Sequence, residues 1–348
     1  MSSPIVTLSV VGPTASGKSS LGIHLARALN GEILNVDSVQ VYRDLNIGAA
    51  KVPESERGGV PHHLLDMRAP NESLNVGTYR ELAIDCLREV SSRGKLPVLV
   101  GGSTMYLTVL LHGIADVPET PPEVRAAVAS MSREAQHAEL STVDPVTAAR
   151  LHVNDTQRVS RALEIYRITG RAPSSIFETH QFSSQEVVSL LVVLCRERDD
   201  LYARINERAA QMVREGLLAE TQQVLERYGD VPALETLGYK QAKDVLQGRL
   251  DISQMEGEIA MHTRRFAKRQ MTYLRNEPRK RGWITRPAPD EEAVEVVGLS
   301  QSTQRARESA RGFRALSLTT EELTARVSER LARPLQRSEV WYLFLRGV

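Results

Sequence analysis

Gly12, Gly17, Lys18 and Ser19 satisfy the spacing G-x-x-x-x-G-K-[ST] inside "VVGPTASGKSS", directly after an apolar run and directly before a helix-favouring stretch. In that setting the pattern is a phosphate cradle. Glycines let backbone N–H groups turn inward around an anion, and the helix start adds its positive end. Lys18 reaches the terminal phosphate oxygens, and the Ser19 hydroxyl is suited to Mg²⁺. The loop therefore asks for a di- or triphosphate, without saying which bond of it breaks. Chemistry on a bound phosphate also needs an acid or base at the carboxyl edge of a strand. "LPVLVGGS" ends in Gly101, Gly102 and Ser103 and offers no carboxylate, whereas "EILNVDSVQVYR" brings Asp37 to such an edge. Three readings of Asp37 stand at this point: a metal-organising acid, a general base, or an N-cap of a following helix.

The elements that must position these groups alternate in type. "IVTLSVV", the glycine loop, "SSLGIHLARAL", "EILNV", "GTYRELAIDCLREVSSRG" and "LPVLVGG" read strand, loop, helix, strand, helix, strand, the pattern of a parallel sheet wrapped by helices. After Gly113 the chain opens on prolines and turns helical. Val159, Ala162, Leu163 and Tyr166 there fall at i, i+3, i+4 and i+7, an apolar stripe that Gly170 and Pro173 stop. The apolar run Val187 to Cys195 reads as a buried strand that returns to the sheet. The expected fold is thus α/β, a P-loop kinase-like parallel sheet flanked by helices, with an inserted helical subdomain. Its expected segments are 1–115 (first part of the core), 116–182 (insertion), 183–290 (return to the core and a basic helical region) and 291–348 (an extension without an assigned role).

The 348 residues, 41% hydrophobic and 25% charged, suit a globular protein of about two units at roughly 100–200 residues each. No run approaches the ~20 apolar residues of a membrane helix. The first residues lack a basic signal-peptide region, so a cytoplasmic, membrane-free protein is expected, with a monomer as the default. Cys86 and Cys195 lie far apart without ligand spacing and read as buried thiols. Adjacent His62 and His63 share no helix face and read as polar structural groups rather than a metal pair.

In order along the chain, "GPTASGKS", "DSVQVYRDLNIGAAK", "VPHHLLD", "PVLVGGSTMYL", "HVNDTQRVSRALEI", "LETLGYKQ" and "RRFAKRQMTYLR" resemble the tRNA dimethylallyltransferase family, from about residue 8 to about residue 276. The resemblance implies transfer of a dimethylallyl group from dimethylallyl diphosphate to N6 of the adenosine immediately 3′ of the anticodon in tRNA, with Mg²⁺ as cofactor. It implies that Gly12, Pro13, Thr14, Ala15, Ser16, Gly17, Lys18 and Ser19 hold the prenyl donor. Catalytic roles are implied for Asp37, Lys18 and Thr14, with Ser19 on the metal. Asp37, Ser38, Val39 and Gln40 correspond to the adenosine-contacting stretch, and Asp37 becomes the general base for a poorly nucleophilic amine. Further tRNA contacts are implied for Ser103, Arg125, Gln157, Arg158, Val159, Ser160, Arg161, Gly238, Tyr239 (by stacking on a base), Lys240, Arg264, Lys268, Arg269, Gln270 and Arg275. This sequence departs from the family pattern at Val39, at Thr104 with Met105, and at Tyr273 with Leu274. None of these removes a charged catalytic group.

The net charge of +1 argues against a nucleic-acid partner, but the average hides a patch. Between Met261 and Arg286 nine basic residues stand against the single acid Glu277. On a helix, Arg264, Lys268 and Arg275 share one face, with Ala260, Ala267, Met271 and Leu274 on another. Such a basic face suits phosphate contacts. Two rival activities share parts of the pattern: an adenylate isopentenyltransferase, which would not need the insertion or the basic helix, and a P-loop small-molecule kinase, which would turn over ATP.

Overall fold

A computed structural model of the chain describes residues 3–280 apart from 181–183 and 185, together with 292–296, 314–317, 320–333 and 339–345. Five parallel strands form the part of the sheet that carries the loop: β1 (Ile5–Val11), β2 (Gly31–Val36), β3 (His62–His63), β4 (Leu96–Gly101) and β5 (Val187–Arg196), ordered β3-β2-β4-β1-β5. Val11 lies opposite Gly101 on one side and Val193 on the other, and Val36 is also opposite Gly101. The strand ends that carry Asp37, Gly102 and Gly12 therefore lie side by side at one edge.

Alternation along β5 shows why the sheet is covered on both faces. Val187, Leu191, Val193 and Cys195 enter one core with α2 (Val76–Ser92), α3 (Thr104–His112) and Leu274. Val188, Leu190, Val192 and Leu194 enter the other with Leu25 and Ala26 of α1 (Lys18–Ala28). A strand buried on both faces must satisfy its polar side chains inside: Ser9 and Ser189 share a hydroxyl hydrogen bond of 2.7 Å, and Thr7 donates to the Val188 carbonyl at 3.3 Å.

The end of the chain, to which the sequence assigned no role, joins this sheet. β8 (Glu339–Leu345) pairs in parallel with β5, followed by β6 (Glu292–Val296) and β7 (Arg314–Ser317). Leu323 and Val327 of the helix Thr320–Leu331 complete the core under α1.

Chain contacts divide the molecule into two compact units, one of residues 1–111 with 185–348 and the other of residues 112–184. The second unit is helical: α4 (Pro122–Ala129), α5 (Arg133–Val143), α6 (Pro145–Arg150), α7 (Thr156–Thr169) and α8 (Pro173–His180). Val159, Ala162 and Leu163 pack there with Val128, Leu140 and Ala148, while Tyr166 stays half-buried. Asp144 ties α6 to α8, its carboxylate accepting from the Thr147 N–H and hydroxyl at 3.0 and 2.6 Å and from the Ser174 N–H and hydroxyl, both at 2.8 Å.

In the first unit, α9 (Arg198–Arg214), α10 (Leu217–Tyr228), α11 (Tyr239–Leu246) and α12 (Ile252–Lys280) follow β5. Along α12 the buried positions Met255, Ile259, Ala260, Thr263, Ala267, Gln270 and Leu274 repeat every three or four residues. Among the described residues no helix is long and apolar enough to cross a membrane.

Candidate functional site

The glycine loop joins β1 to α1. A Cβ on Gly12 would come within 3.0 Å of the Leu194 carbonyl oxygen and 2.8 Å of Ser16 Oγ, and Gly17 has φ +95°, so both glycines answer a backbone demand. The N–H groups of Gly17, Lys18 and Ser19 meet no acceptor among the described residues, and Ser16 Oγ is buried without a partner there. Donors left over in this way are what a bound anion satisfies.

Several side chains hold the loop's outer side. Arg196, at the end of β5, donates to the Ser16 carbonyl at 2.8 Å and pairs with Asp200 at 2.7 Å. Arg204 of α9 donates to the Ala15 carbonyl at 3.2 Å. Lys18 Nζ reaches the Pro13 carbonyl at 3.3 Å. Its pKa is brought down to about 8, first by burial and then by the neighbouring Arg208, against the upward pull of Asp37. Burial likewise lowers Arg208, and Asp37 again opposes the shift. Lys18, Arg208 and Asp37 thus share one electrostatic space, yet no ion pair links them among the described residues.

Asp37 heads a turn, not a helix, which removes its reading as a helix N-cap. Its Oδ1 accepts from the N–H of Val39 at 2.8 Å and of Gln40 at 3.3 Å, which fixes the carboxylate, and Oδ2 has no partner among the described residues. Gln40 spends its amide on the Ala49 and Ala50 carbonyls at 2.9 and 3.3 Å, and Ser38 is exposed. Ser103 lies at the end of β4, its N–H bonded to the Val36 carbonyl at 3.1 Å. Gly101 permits that approach, since a Cβ would sit 2.0 Å from the Val36 oxygen.

Tyr239 does not stack on RNA. Its ring is fully buried, its hydroxyl donates to Glu220 Oε1 at 2.6 Å, and burial with that carboxylate beside it pushes its pKa far up. Glu220 also accepts the N–H groups of Asn46, Ile47 and Gly48. A Cβ on Gly48 would meet the Tyr239 ring at 2.5 Å, so the glycine is where the loop lies flat on the tyrosine. Gly238 bonds back to Gln241 at 2.9 Å, and Lys240 pairs with Asp244 at 3.1 Å. The "LGYK" stretch therefore supports the loop that follows Asp37. His63 pairs with Glu32 at 2.7 Å, and His62 bonds the Val60 carbonyl at 2.8 Å.

The basic face of α12 is narrower than the helical spacing suggests. Lys268, Arg269 and Arg275 are exposed and form no ion pair among the described residues, with Arg269 lying over the Phe266 ring at 5.7 Å. Arg264 instead turns onto α9, donating to Asn206 Oδ1 at 2.5 Å near the Tyr202 ring. Gln270 is 4% exposed and bonds to the glycine loop, so it lies on the inner face of the helix and not on an RNA-facing one. In the second unit, Arg125, Gln157, Arg158 and Arg161 are exposed. Val159 is core, and Ser160 donates to Gln136 at 2.7 Å, so neither side chain is free for RNA.

Arg196, Arg204 and Arg208 were missed by sequence reasoning. A signal existed: Arg196 ends a buried strand, and Arg204 and Arg208 stand at i and i+4 beside the buried stripe Leu201, Ile205 and Ala209.

A parallel sheet, a glycine loop at its carboxyl edge and a carboxylate just past the end of the next strand but one define a P-loop α/β protein of the kinase-like kind. Residues 40–277 match the family model described as IPP transferase, and the chain belongs to that family. It is 42% identical to a tRNA dimethylallyltransferase of Anaeromyxobacter dehalogenans, over 82% of this chain and 94% of the relative. It is 41% identical to one of Methylococcus capsulatus, over 84% and 96%. Among solved structures it resembles the full-length tRNA isopentenylpyrophosphate transferase of Bacillus halodurans, with TM-score 0.62, 32% identity, and coverage of 95% of this chain and 97% of that one. A eukaryotic dimethylallyltransferase acting on tRNA shares the fold, with TM-score 0.72 at 24% identity over 96% and 82% of the two chains.

Proposed function

We propose that this protein transfers a dimethylallyl group from dimethylallyl diphosphate to N6 of the adenosine immediately 3′ of the anticodon in tRNA, releasing diphosphate. The observation that carries the reading is the Asp37 carboxylate, held by one oxygen only, at the same sheet edge as a glycine loop whose Gly17, Lys18 and Ser19 N–H groups meet no acceptor among the described residues. Curated relatives named tRNA dimethylallyltransferase support the transfer of a dimethylallyl group to tRNA.

The diphosphate rests on the N–H groups of Gly17, Lys18 and Ser19, which meet no acceptor among the described residues, with Ser16 Oγ, Lys18 and Arg208 around it. An adenine N6 lone pair is delocalised into the ring, so Asp37 Oδ2 takes the proton as the N6–C1 bond forms, a contribution of about 10²–10⁴-fold. The C1–O bond breaks in the same displacement, and its electron pair leaves with the diphosphate, whose growing charge the cations offset. Ser19 supplies a hydroxyl oxygen, unpartnered among the described residues, of the hard type Mg²⁺ takes. When bound, the ion would neutralise part of the charge on the leaving diphosphate. Lys268, Arg269 and Arg275, and in the second unit Arg125, Arg158 and Arg161, supply phosphate contacts for the RNA.

Incubation with unmodified tRNA, dimethylallyl diphosphate and Mg²⁺, followed by mass analysis of digested nucleosides, should show N6-dimethylallyladenosine. Modification of free adenylate but not of tRNA, or ATP turnover without any prenylated nucleoside, would overturn the proposal.

A further inference from the structure

One buried amide joins α12 to two strand ends. Gln270 Oε1 accepts the Thr14 N–H at 2.9 Å, and its Nε2 donates to the Gly102 carbonyl at 2.8 Å. Both hydrogen-bonding ends of the side chain are therefore committed to the turns that follow β1 and β4. The fit depends on a missing side chain, because a Cβ on Gly102 would stand 2.5 Å from Nε2, and also 3.5 Å from the Gly12 oxygen and 3.6 Å from Lys18 Cε. Gln270 and Thr263 are the polar members of an otherwise apolar stripe on α12, and Ala267, one turn away, belongs with Leu201 and Ile205 to the cluster against which Ala15 of the loop packs.

We infer that Gln270 is a positioning residue for the phosphate loop, acting on the prenyl donor and not on the RNA, an inference that rests on the function proposed above. The Thr14 N–H turns out of the loop toward the amide. With that N–H held, and with Arg196 and Arg204 holding the carbonyls of Ser16 and Ala15, the backbone leading to Gly17, Lys18 and Ser19, whose N–H groups meet no acceptor among the described residues, is restrained at three successive residues. A loop fixed before the anion arrives loses less freedom on binding it. Removal of both amide restraints leaves a loop that must be ordered on binding, and should weaken the donor by about tenfold.

The test measures three quantities on the full-length protein: the Kd of dimethylallyl diphosphate with Mg²⁺ and no RNA, the Kd of tRNA without donor, and the thermal midpoint. Gln270→Met keeps the side chain's length but has no amide, and should raise the donor Kd about tenfold while tRNA Kd stays within about twofold. Gln270→Glu should raise it further than Met does, since the carboxylate adds a negative charge beside the loop that holds an anion; a merely structural role does not predict that order. Gly102→Ala, which displaces the amide from the opposite side, should reproduce the Met effect and guards against a folding defect peculiar to one variant. An unchanged donor Kd in Gln270→Met, or a matching loss of tRNA affinity, would overturn the inference while wild-type prenylation leaves the functional reading standing. Absence of donor binding by the wild type would overturn both.

Discussion

The Tyr239 hydroxyl and the Glu220 carboxylate, 2.6 Å apart, form the support on which residues 46–48 lie, nine to eleven residues after Asp37. Through the Gln40 amide, bonded to Ala49 and Ala50, that support reaches the turn that holds the Asp37 carboxylate. Two stretches far apart in the chain thus act as one device, the second keeping the first in place.

Loss of this support should slow chemistry more than it weakens RNA binding. Tyr239→Phe leaves Glu220 and the Ala49 N–H short of a partner and should cost about 1–3 kcal/mol. The single-turnover rate should fall with tRNA Kd unchanged. A weakened tRNA Kd at full stability would instead restore Tyr239 as an RNA contact.

Arg208 has no hydrogen bond among the described residues and feels Asp37 as its counter-charge, and in the proposed reaction it serves the diphosphate. Arg208→Ala should raise the donor KM and lower kcat together, by about 10²-fold in kcat/KM for a lost charge at the leaving group. Arg208→Lys should recover part of this, because the charge returns without the planar fork. Steady-state kinetics in donor concentration checks both.

Exposure divides the arginines and lysines of α12 into two kinds. Lys268→Ala and Arg275→Ala should weaken tRNA and flatten the salt dependence of log K by about 0.7–0.9 for each phosphate that is no longer neutralised. Arg264→Ala should leave that slope nearly as it is and lower stability instead, since its guanidinium is spent on Asn206 and the Tyr202 ring. Filter binding across a salt series, with thermal melts alongside, separates the two.

The second unit should be acid-sensitive at Asp144. Burial pushes this carboxyl up, but hydrogen bonds from Thr147 and Ser174 outweigh it and leave its pKa below the ordinary value. A depressed folded pKa means its stabilisation is complete above the unfolded value of about 4 and is lost as pH falls through the folded one. Protection from hydrogen exchange within residues 112–184, taken relative to the intrinsic rate at each pH, should therefore fall below about pH 4 in the wild type. Asp144→Asn should make exchange faster at neutral pH and much less dependent on acid.

Much of this site was legible because its signals are local. The loop is a contiguous string, Asp37 ends an apolar strand, and the stripe of α7 has helical period, so spacing alone located them. Tyr239 was misread because its partner Glu220 lies 19 residues back and the loop it supports nearly 200 residues back. Nothing next to it in sequence distinguishes a buried phenol from an exposed one. Gln270 was misplaced for another reason: a polar residue beside Lys268 and Arg269 looks like part of their surface, yet the spacing Thr263, Ala267, Gln270, Leu274 puts it on the buried side. The pairing of β8 with β5 joins segments more than 140 residues apart, and no local pattern announces it.

In the proposed reaction the loop holds an allylic diphosphate while Asp37 takes the N6 proton. Its most direct measurement is a single turnover on tRNA with saturating dimethylallyl diphosphate and Mg²⁺, following prenylated adenosine and released diphosphate together, for the wild type and Asp37→Asn. Equal yields of the two products are predicted for the wild type, and for the variant a rate lower by about 10²–10⁴-fold with tRNA affinity within about twofold. A wild-type rate in Asp37→Asn, or diphosphate released without prenylated adenosine, would contradict the account.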